Sequence, residues 1–221
     1  QIIAAQNDIG ERIDGIVMMG IGEPLDNYDN VIKFLRLVGH KEGLNIGYRH
    51  ISLSTCGLVD KIYRLAEEDL QITLSISLHA ASDEIRNKIM PVNKKWGVDE
   101  LLDACKHYFD KTGRRISFEY TLIAGENDSE AEALALAKKL NSKLRTKNST
   151  MPIHVNLIPV NPVKERDFKK SGKDEIKRFA KTLESKGIRA TVRRTLGADI
   201  NASCGQLRRD EMKKEEANSN A

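Results

Sequence analysis

Six short apolar runs divide the chain almost from end to end, and each is followed by a Gly-, Pro- or hydroxyl-rich turn. They read as strands over 14–20, 50–56, 72–78, 116–123, 153–160 and 189–194. The last two of the first three, H-I-S-L-S-T-C and I-T-L-S-I-S-L, alternate apolar and polar residues, the period of a half-buried strand. Between the runs lie helical stripes over 28–39, 60–69, 82–90, 98–111, 128–144 and 172–187. The first of these places Val31, Ile32, Leu35 and Val38 on one face. Ser82 reads as an N-cap, Gly187 as a C-cap, and 143–151 as a polar loop. Strands separated by helices pair in parallel, because a crossover helix can return the chain to the starting end of a sheet and a tight hairpin cannot. The alternation never reverses. The expected fold is therefore α/β, a partial parallel (β/α)6 barrel, with its chemistry on the loops at the C-terminal ends of the strands.

Composition excludes several classes. Of the 221 residues, 40% are hydrophobic and 31% charged, ordinary for a folded domain. No apolar run approaches a bilayer-spanning length. The three cysteines, Cys56, Cys105 and Cys204, are odd in number and far apart, which argues against a disulfide framework and for a reducing compartment. No two have metal-ligand spacing, so no metal site is expected from this sequence. The net charge of +4 is uneven: residues 164–209 hold 14 Lys/Arg against 6 Asp/Glu. Charge alone fits a solvated lysine-rich helix face better than a binding surface, but nucleic acid is the leading polyanionic partner. The first residues, Q-I-I-A-A-Q, read as a helix already under way, and the first residue is not Met; an upstream part is expected to be missing. Residues 1–209 are expected to form the barrel and 210–221 a frayed, charged tail.

The strand ends carry the chemistry-bearing residues. G-I-G-E-P follows the first strand, where Gly22 admits close approach of a ligand and Glu23 can accept from an ammonium or a hydroxyl. An ordinary βα turn explains that stretch equally well. Ser54 closes the second strand; Ser77, Leu78 and His79 close the third, the histidine fitting either an acid–base group or a hydrogen-bond anchor. Asn156 and Asn161 flank Pro159, and an Asx turn before Pro162 accounts for Asn161 by itself. Cys56 and Cys105 read as small buried hydrophobes. Cys204 differs: Ala202, Ser203 and Gly205 leave it unshielded, and nearby arginines favour its thiolate, which suits covalent chemistry on an anion. A surface cysteine in a tail is the plain alternative.

Seven stretches in order make a more specific case. They are G-I-G-E-P-L at Gly20, S-T-C-G at Ser54, S-L-H-A at Ser77, M-P-V-N-K-K at Met90, E-Y-T-L-I-A-G-E-N-D at Glu119, H-V-N-L-I-P-V-N-P at His154 and G-A-D-I-N-A-S-C-G-Q-L at Gly197. Together, and over nearly the whole chain to Arg209, they resemble the RlmN family of radical S-adenosylmethionine RNA methyltransferases. The resemblance implies methylation of carbon 2 of an adenine in 23S rRNA, and of a tRNA, in the cytoplasm. It implies a radical SAM barrel, here lacking its first βα unit. It implies S-adenosylmethionine and a 4Fe-4S cluster whose cysteines, spaced C-x-x-x-C-x-x-C, are absent from this chain. That absence leads to the expectation that the chain alone does not turn over.

By the same resemblance, Cys204 is the methyl-carrying cysteine, while Gly22, Glu23, Ser54, Ser77, Leu78, His79 and Asn161 contact S-adenosylmethionine. The implied partners are 23S rRNA, tRNA and an electron donor such as flavodoxin, with the enzyme a monomer and no membrane involved. A radical route suits a ring carbon too electron-poor for polar methyl transfer, because a tethered carbon radical held close can add to it. Arginines 193, 194, 208 and 209 are plausible phosphate contacts. Three rivals stand beside this reading: a carbon-8 adenine methyltransferase of the antibiotic-resistance branch, a non-catalytic RNA-binding module, and a barrel enzyme for a phosphorylated metabolite.

Overall fold

The computed structural model describes residues 1–146, 149–160 and 168–193. It begins with helix α1 (Ile2–Ile9), then strand β1 (Ile16–Met18), a 3-10 turn (Pro24–Asn27) and α2 (Tyr28–Gly39). Next come β2 (Ile51–Thr55), α3 (Val59–Ala66), β3 (Thr73–Ser77), α4 (Asp83–Ile89) and α5 (Val98–Thr112). They are followed by β4 (Ile116–Leu122), α6 (Glu130–Leu144) and the two-residue strands β5 (Arg145–Thr146) and β6 (Ser149–Thr150). The described chain closes with β7 (His154–Pro159), α7 (Lys173–Ser185) and β8 (Arg189–Val192). The six expected strands are present, each one to four residues shorter than expected. The expected polar loop over 143–151 instead contains β5 and β6, which pair antiparallel. The tail 210–221 lies outside the described residues.

All pairings in the main sheet are parallel, and its order is β1-β2-β3-β4-β7-β8, the order of the chain itself. An order without reversal puts successive crossovers on one side. The helices follow suit: α3 packs on α5, α5 on α6, and α6 on α7. This is the arrangement of an open (β/α) barrel, with helices outside and one strand face turned inward.

Local sequence explains the helix ends. Ser82 Oγ accepts from the Ile85 N–H, and Ser129 Oγ accepts from the Glu132 N–H at 3.2 Å, each occupying an orphan donor of the first turn. Gly113 ends α5 at φ +63°, the left-handed conformation that favours glycine there.

The two strand faces differ in kind. Leu53, Leu74, Ile76, Phe118, Tyr120 and Leu157 are completely buried and join the buried residues of α2, α3, α5, α6 and α7 in one core. The opposite face holds Ser52, Ser54, Ser75, Ser77, Ser117, Glu119, His154, Asn156 and Thr191. Cross-strand register sets Ser54 beside Ser75, Ser75 beside Ser117, Ser77 beside Glu119, and Glu119 beside Asn156. The alternation visible in the sequence is thus an apolar outer face and a polar inner one.

Candidate active site

A cavity of about 300 Å3 opens on the inner face at the C-terminal ends of the strands. Of the seven expected cofactor contacts, five line it: Gly22, Glu23, Ser54, Ser77 and His79. Leu78 does not. Its side chain is completely buried in the core, and its backbone N–H donates to the Glu119 carbonyl, so only its main chain belongs to the rim. Asn161 and Cys204 lie outside the described residues.

Glu23 follows β1 and caps the 3-10 turn. Its Oε1 accepts from the Leu25 N–H at 3.0 Å, and its Oε2 accepts from the Cys56 N–H at 2.6 Å. The carboxylate therefore ties the end of β1 to the end of β2 while its remaining lone pairs face the cavity. Two backbone donors fix the carboxylate in direction. Gly22 sits at φ +90°, where a side chain is strained, and a Cβ at Gly20 or Gly22 would meet no protein atom within 4 Å. These glycines leave open space beside the carboxylate. A larger, more apolar groove of about 780 Å3 between α1, β1 and α2 shares Gly20, Gly22, Glu23 and Pro24 with the cavity.

His79 adopts φ +61°, unusual for a residue with a Cβ. Its Nδ1 accepts from the Thr121 N–H at 3.0 Å, so the ring's proton sits on Nε2. Burial, and secondarily the Arg86 charge, lowers its pKa to about 4. A histidine held neutral at ordinary pH accepts and donates hydrogen bonds here without bringing charge into the cavity.

Two residues without an assigned role in the sequence reading fix this geometry. Arg86 on α4 is fully buried. Its Nε donates to the Leu78 carbonyl (3.0 Å), and its Nη2 to the carbonyls of Cys56 (2.7 Å) and Ser77 (3.2 Å). Its Nη1 donates to Asn93 Oδ1 at 2.9 Å, and Asn93 in turn donates to Asp83 Oδ1 at 3.0 Å. One guanidinium thus clamps the rims of β2 and β3, and the M-P-V-N stretch supplies its partner. Asn127, also fully buried, donates to the carbonyls of His79 and Thr121 at 2.8 Å each and accepts from the Ile123 N–H at 2.8 Å. The sequence did hold a signal for Glu119: an acidic residue in the middle of the apolar strand I-S-F-E-Y-T-L-I, at the same parity as Ser117 and Thr121.

Cys56 also borders the cavity, but burial and the neighbouring Glu23 push its thiol up to about 12. Burial likewise raises the thiol of Cys105. Neither is a nucleophile at neutral pH. Among the described residues, no group of three or more His, Cys, Asp or Glu side chains is placed to hold a metal ion. No described helix is long and apolar enough to cross a membrane.

Comparison with known proteins agrees with this architecture. Residues 1–137 match the Radical SAM superfamily. The probable dual-specificity RNA methyltransferase RlmN of Clostridium botulinum (strain Eklund 17B / Type B) is 57% identical over 216 residues, covering 98% of this chain and 60% of that protein. The protein of the same name from Clostridium perfringens (strain 13 / Type A) is 55% identical over 213 residues, covering 96% and 59%. The chain thus spans about 60% of the length of these curated relatives. A radical SAM methyltransferase from Sphaerobacter thermophilus superposes with a TM-score of 0.84 at 43% identity, over 92% of this chain and 57% of that one. A domain of pyruvate-formate lyase-activating enzyme from Bacteroides vulgatus shares the fold, at TM-score 0.60 and 19% identity. With more than half its length matched and its six parallel strands in chain order, the chain belongs to the radical SAM superfamily.

Proposed function

We propose that this chain is the core of a radical SAM RNA methyltransferase that binds S-adenosylmethionine in the cavity at the strand ends and methylates carbon 2 of an adenine in 23S rRNA and tRNA. The observation that carries the reading is the Glu23 carboxylate, fixed by the Leu25 and Cys56 N–H groups beside the open space at Gly20 and Gly22. That arrangement suits an amino acid's ammonium group: an oriented anion, with no side chain in the way of the ligand. Bound S-adenosylmethionine supplies the one-carbon unit.

The chain's own residues do the holding. Glu23 takes the ammonium, the Gly22 backbone lies against the amino-acid portion, and Ser54 and Ser77 offer hydroxyls to the rest of the ligand. His79, neutral and protonated on Nε2, offers a donor whose charge does not change near neutral pH. Asn161 completes the contact set, and Cys204 carries the one-carbon unit to the base. The described residues offer no ligand set for an iron–sulfur cluster. The names of the relatives support RNA as substrate; the cytoplasm as its place, an electron donor such as flavodoxin as a further partner and a monomeric state follow from the family resemblance of the sequence motifs alone.

Calorimetric titration of S-adenosylmethionine tests the cavity. Glu23→Gln is expected to weaken binding about tenfold or more, as a charge-assisted contact is lost. Equal affinity for both proteins would overturn the assignment. For the reaction, RNA from cells whose sole copy of the gene carries Cys204→Ala is digested and mapped by mass spectrometry. Loss of 2-methyladenosine is expected. Unchanged product removes the carrier role, and 8-methyladenosine in the unmutated strain transfers the assignment to the carbon-8 reaction.

A further inference from the structure

The cavity is lined by two carboxyl groups among the described residues, Glu23 on the β1 side and Glu119 on β4. We propose that Glu119 is a specificity-determining residue: a closed ring of five side chains holds it as a neutral carboxylic acid, leaving Glu23 as the one anionic carboxylate the ligand meets there. This deepens the S-adenosylmethionine reading and rests on it.

The ring lies on the inner face across β4, β7 and β8. Asn156 Nδ2 donates to Glu119 Oε2 at 2.7 Å. Thr191 Oγ1 donates to Asn156 Oδ1 at 3.2 Å and lies 3.0 Å from His154 Nε2. His154 Nδ1 lies 3.0 Å from Ser117 Oγ, and Ser117 Oγ lies 3.0 Å from Glu119 Oε1, which closes the circle.

Five contacts require five protons. The Asn156 amide, the Thr191 hydroxyl, the Ser117 hydroxyl and a neutral imidazole supply one each. The fifth sits either on Glu119 or as a second proton on His154. Without it one contact has two lone pairs facing each other: beside Ser117 when His154 carries its proton on Nε2, beside Thr191 when it carries it on Nδ1.

The surroundings choose between the two places. A proton on His154 creates two charges, an imidazolium and a carboxylate, on a face where Glu119 is 5% exposed. Burial, and then the charges of Arg115 just before β4 and Arg189 on β8, disfavour the cationic form of His154. Burial favours the protonated form of Glu119; its hydrogen bonds to Asn156 and Ser117 and the Arg193 charge pull the other way and are outweighed. On the β3 side, the Leu78 and His79 N–H groups are engaged by the Glu119 backbone carbonyl, not by its carboxyl. With the proton on Glu119 every donor points the same way around: Glu119 to Ser117, Ser117 to His154 Nδ1, His154 Nε2 to Thr191, Thr191 to Asn156, and Asn156 back to Glu119.

A ligand bearing an ammonium and a sulfonium is drawn to any carboxylate. A neutral floor at Glu119 leaves the ammonium, among the described residues of the cavity, one carboxylate to meet, Glu23.

The decisive variant is Glu119→Gln, whose amide can donate to Ser117 and accept from Asn156 without any ionisable proton. Infrared difference spectra of wild type minus Glu119→Gln are expected to show the carbonyl stretch of a protonated carboxyl at neutral pH. Nitrogen NMR is expected to show His154 neutral and protonated on Nε2 in both proteins. S-adenosylmethionine affinity in Glu119→Gln is expected within about twofold of wild type, since a neutral hydrogen-bonding group replaces another.

Because the folded-state pKa of Glu119 is raised, its contribution to stability is full below the ordinary carboxylate range and is lost as pH rises through the raised value. The Tm of wild type therefore falls relative to that of Glu119→Gln as pH increases. A carboxylate band with a doubly protonated His154 overturns the proposal. So does a Glu119→Gln protein that fails to fold, or that folds with affinity reduced about tenfold, because the amide satisfies the same ring. If wild type binds no S-adenosylmethionine, the cavity assignment fails and the specificity role with it, whereas the two spectra, taken without ligand, still decide where the proton is.

Discussion

The outer and inner faces of one sheet are built to opposite rules. On the outer face Leu53, Leu74, Phe118 and Leu157 are fully buried against helices and carry no polar atom beyond the backbone. On the inner face their immediate neighbours along the chain are Ser54, Ser75, Ser117 and Asn156. A barrel that fills its interior with Val, Ile and Leu makes a core there. This one keeps hydroxyls, an amide, an imidazole and a carboxyl inside, so its interior is ground for a polar ligand. Stability is concentrated on one side of each strand and recognition on the other, a single residue apart.

That contrast is broken most severely from outside. Phe118→Ala is expected to cost about 3–5 kcal/mol, read from urea unfolding, because it opens a cavity in a fully buried layer. Arg86→Met is expected to cost about 3 kcal/mol, with the S-adenosylmethionine affinity falling as well, since the carbonyls of Cys56, Ser77 and Leu78 lose their donor where the two faces meet. On the inner face, Ser75→Ala removes one hydrogen bond, to Ser52 at 3.1 Å, and is expected to cost about 1 kcal/mol.

Ser54→Val sharpens the comparison further. The β-branched residue suits the strand, so Tm is expected to hold, while calorimetry registers weaker S-adenosylmethionine binding by about tenfold. If Ser54→Val costs as much stability as Phe118→Ala, the division of labour between the faces is wrong. The smallest effect belongs to the helical surface. Lys139→Ala breaks an ion pair with Asp99, and a change of at most about 0.5 kcal/mol is expected because both partners are solvated.

The sequence made the outer face and the strand order legible, because apolar spacing and uninterrupted strand–helix alternation are local signals. It also exposed Gly22, Glu23, Ser54, Ser77 and His79, since each stands beside a turn at a strand end. Arg86 was not legible. An arginine in D-E-I-R-N-K-I looks like a solvated helix charge, and only the approach of β2 and β3 buries it. Leu78 shows the limit of such reading: it stands between two cavity residues, yet strand alternation turns its side chain into the core and leaves only its main chain at the rim. The ring around Glu119 draws on three strands separated by long stretches of chain, so no spacing rule could assemble it. The β5 and β6 pair was hidden because two-residue strands of Arg, Thr and Ser carry no periodicity.

Asn127 carries a consequence of its own. One amide rivets the S-L-H-A turn to the I-A-G-E-N-D turn, with three of its bonds spread across His79, Thr121 and Ile123. Neither turn can therefore drift by itself over evolutionary time. Relatives that remodel one are expected to have rewritten the other in step, and engineers who wish to regraft this rim will have to move both at once.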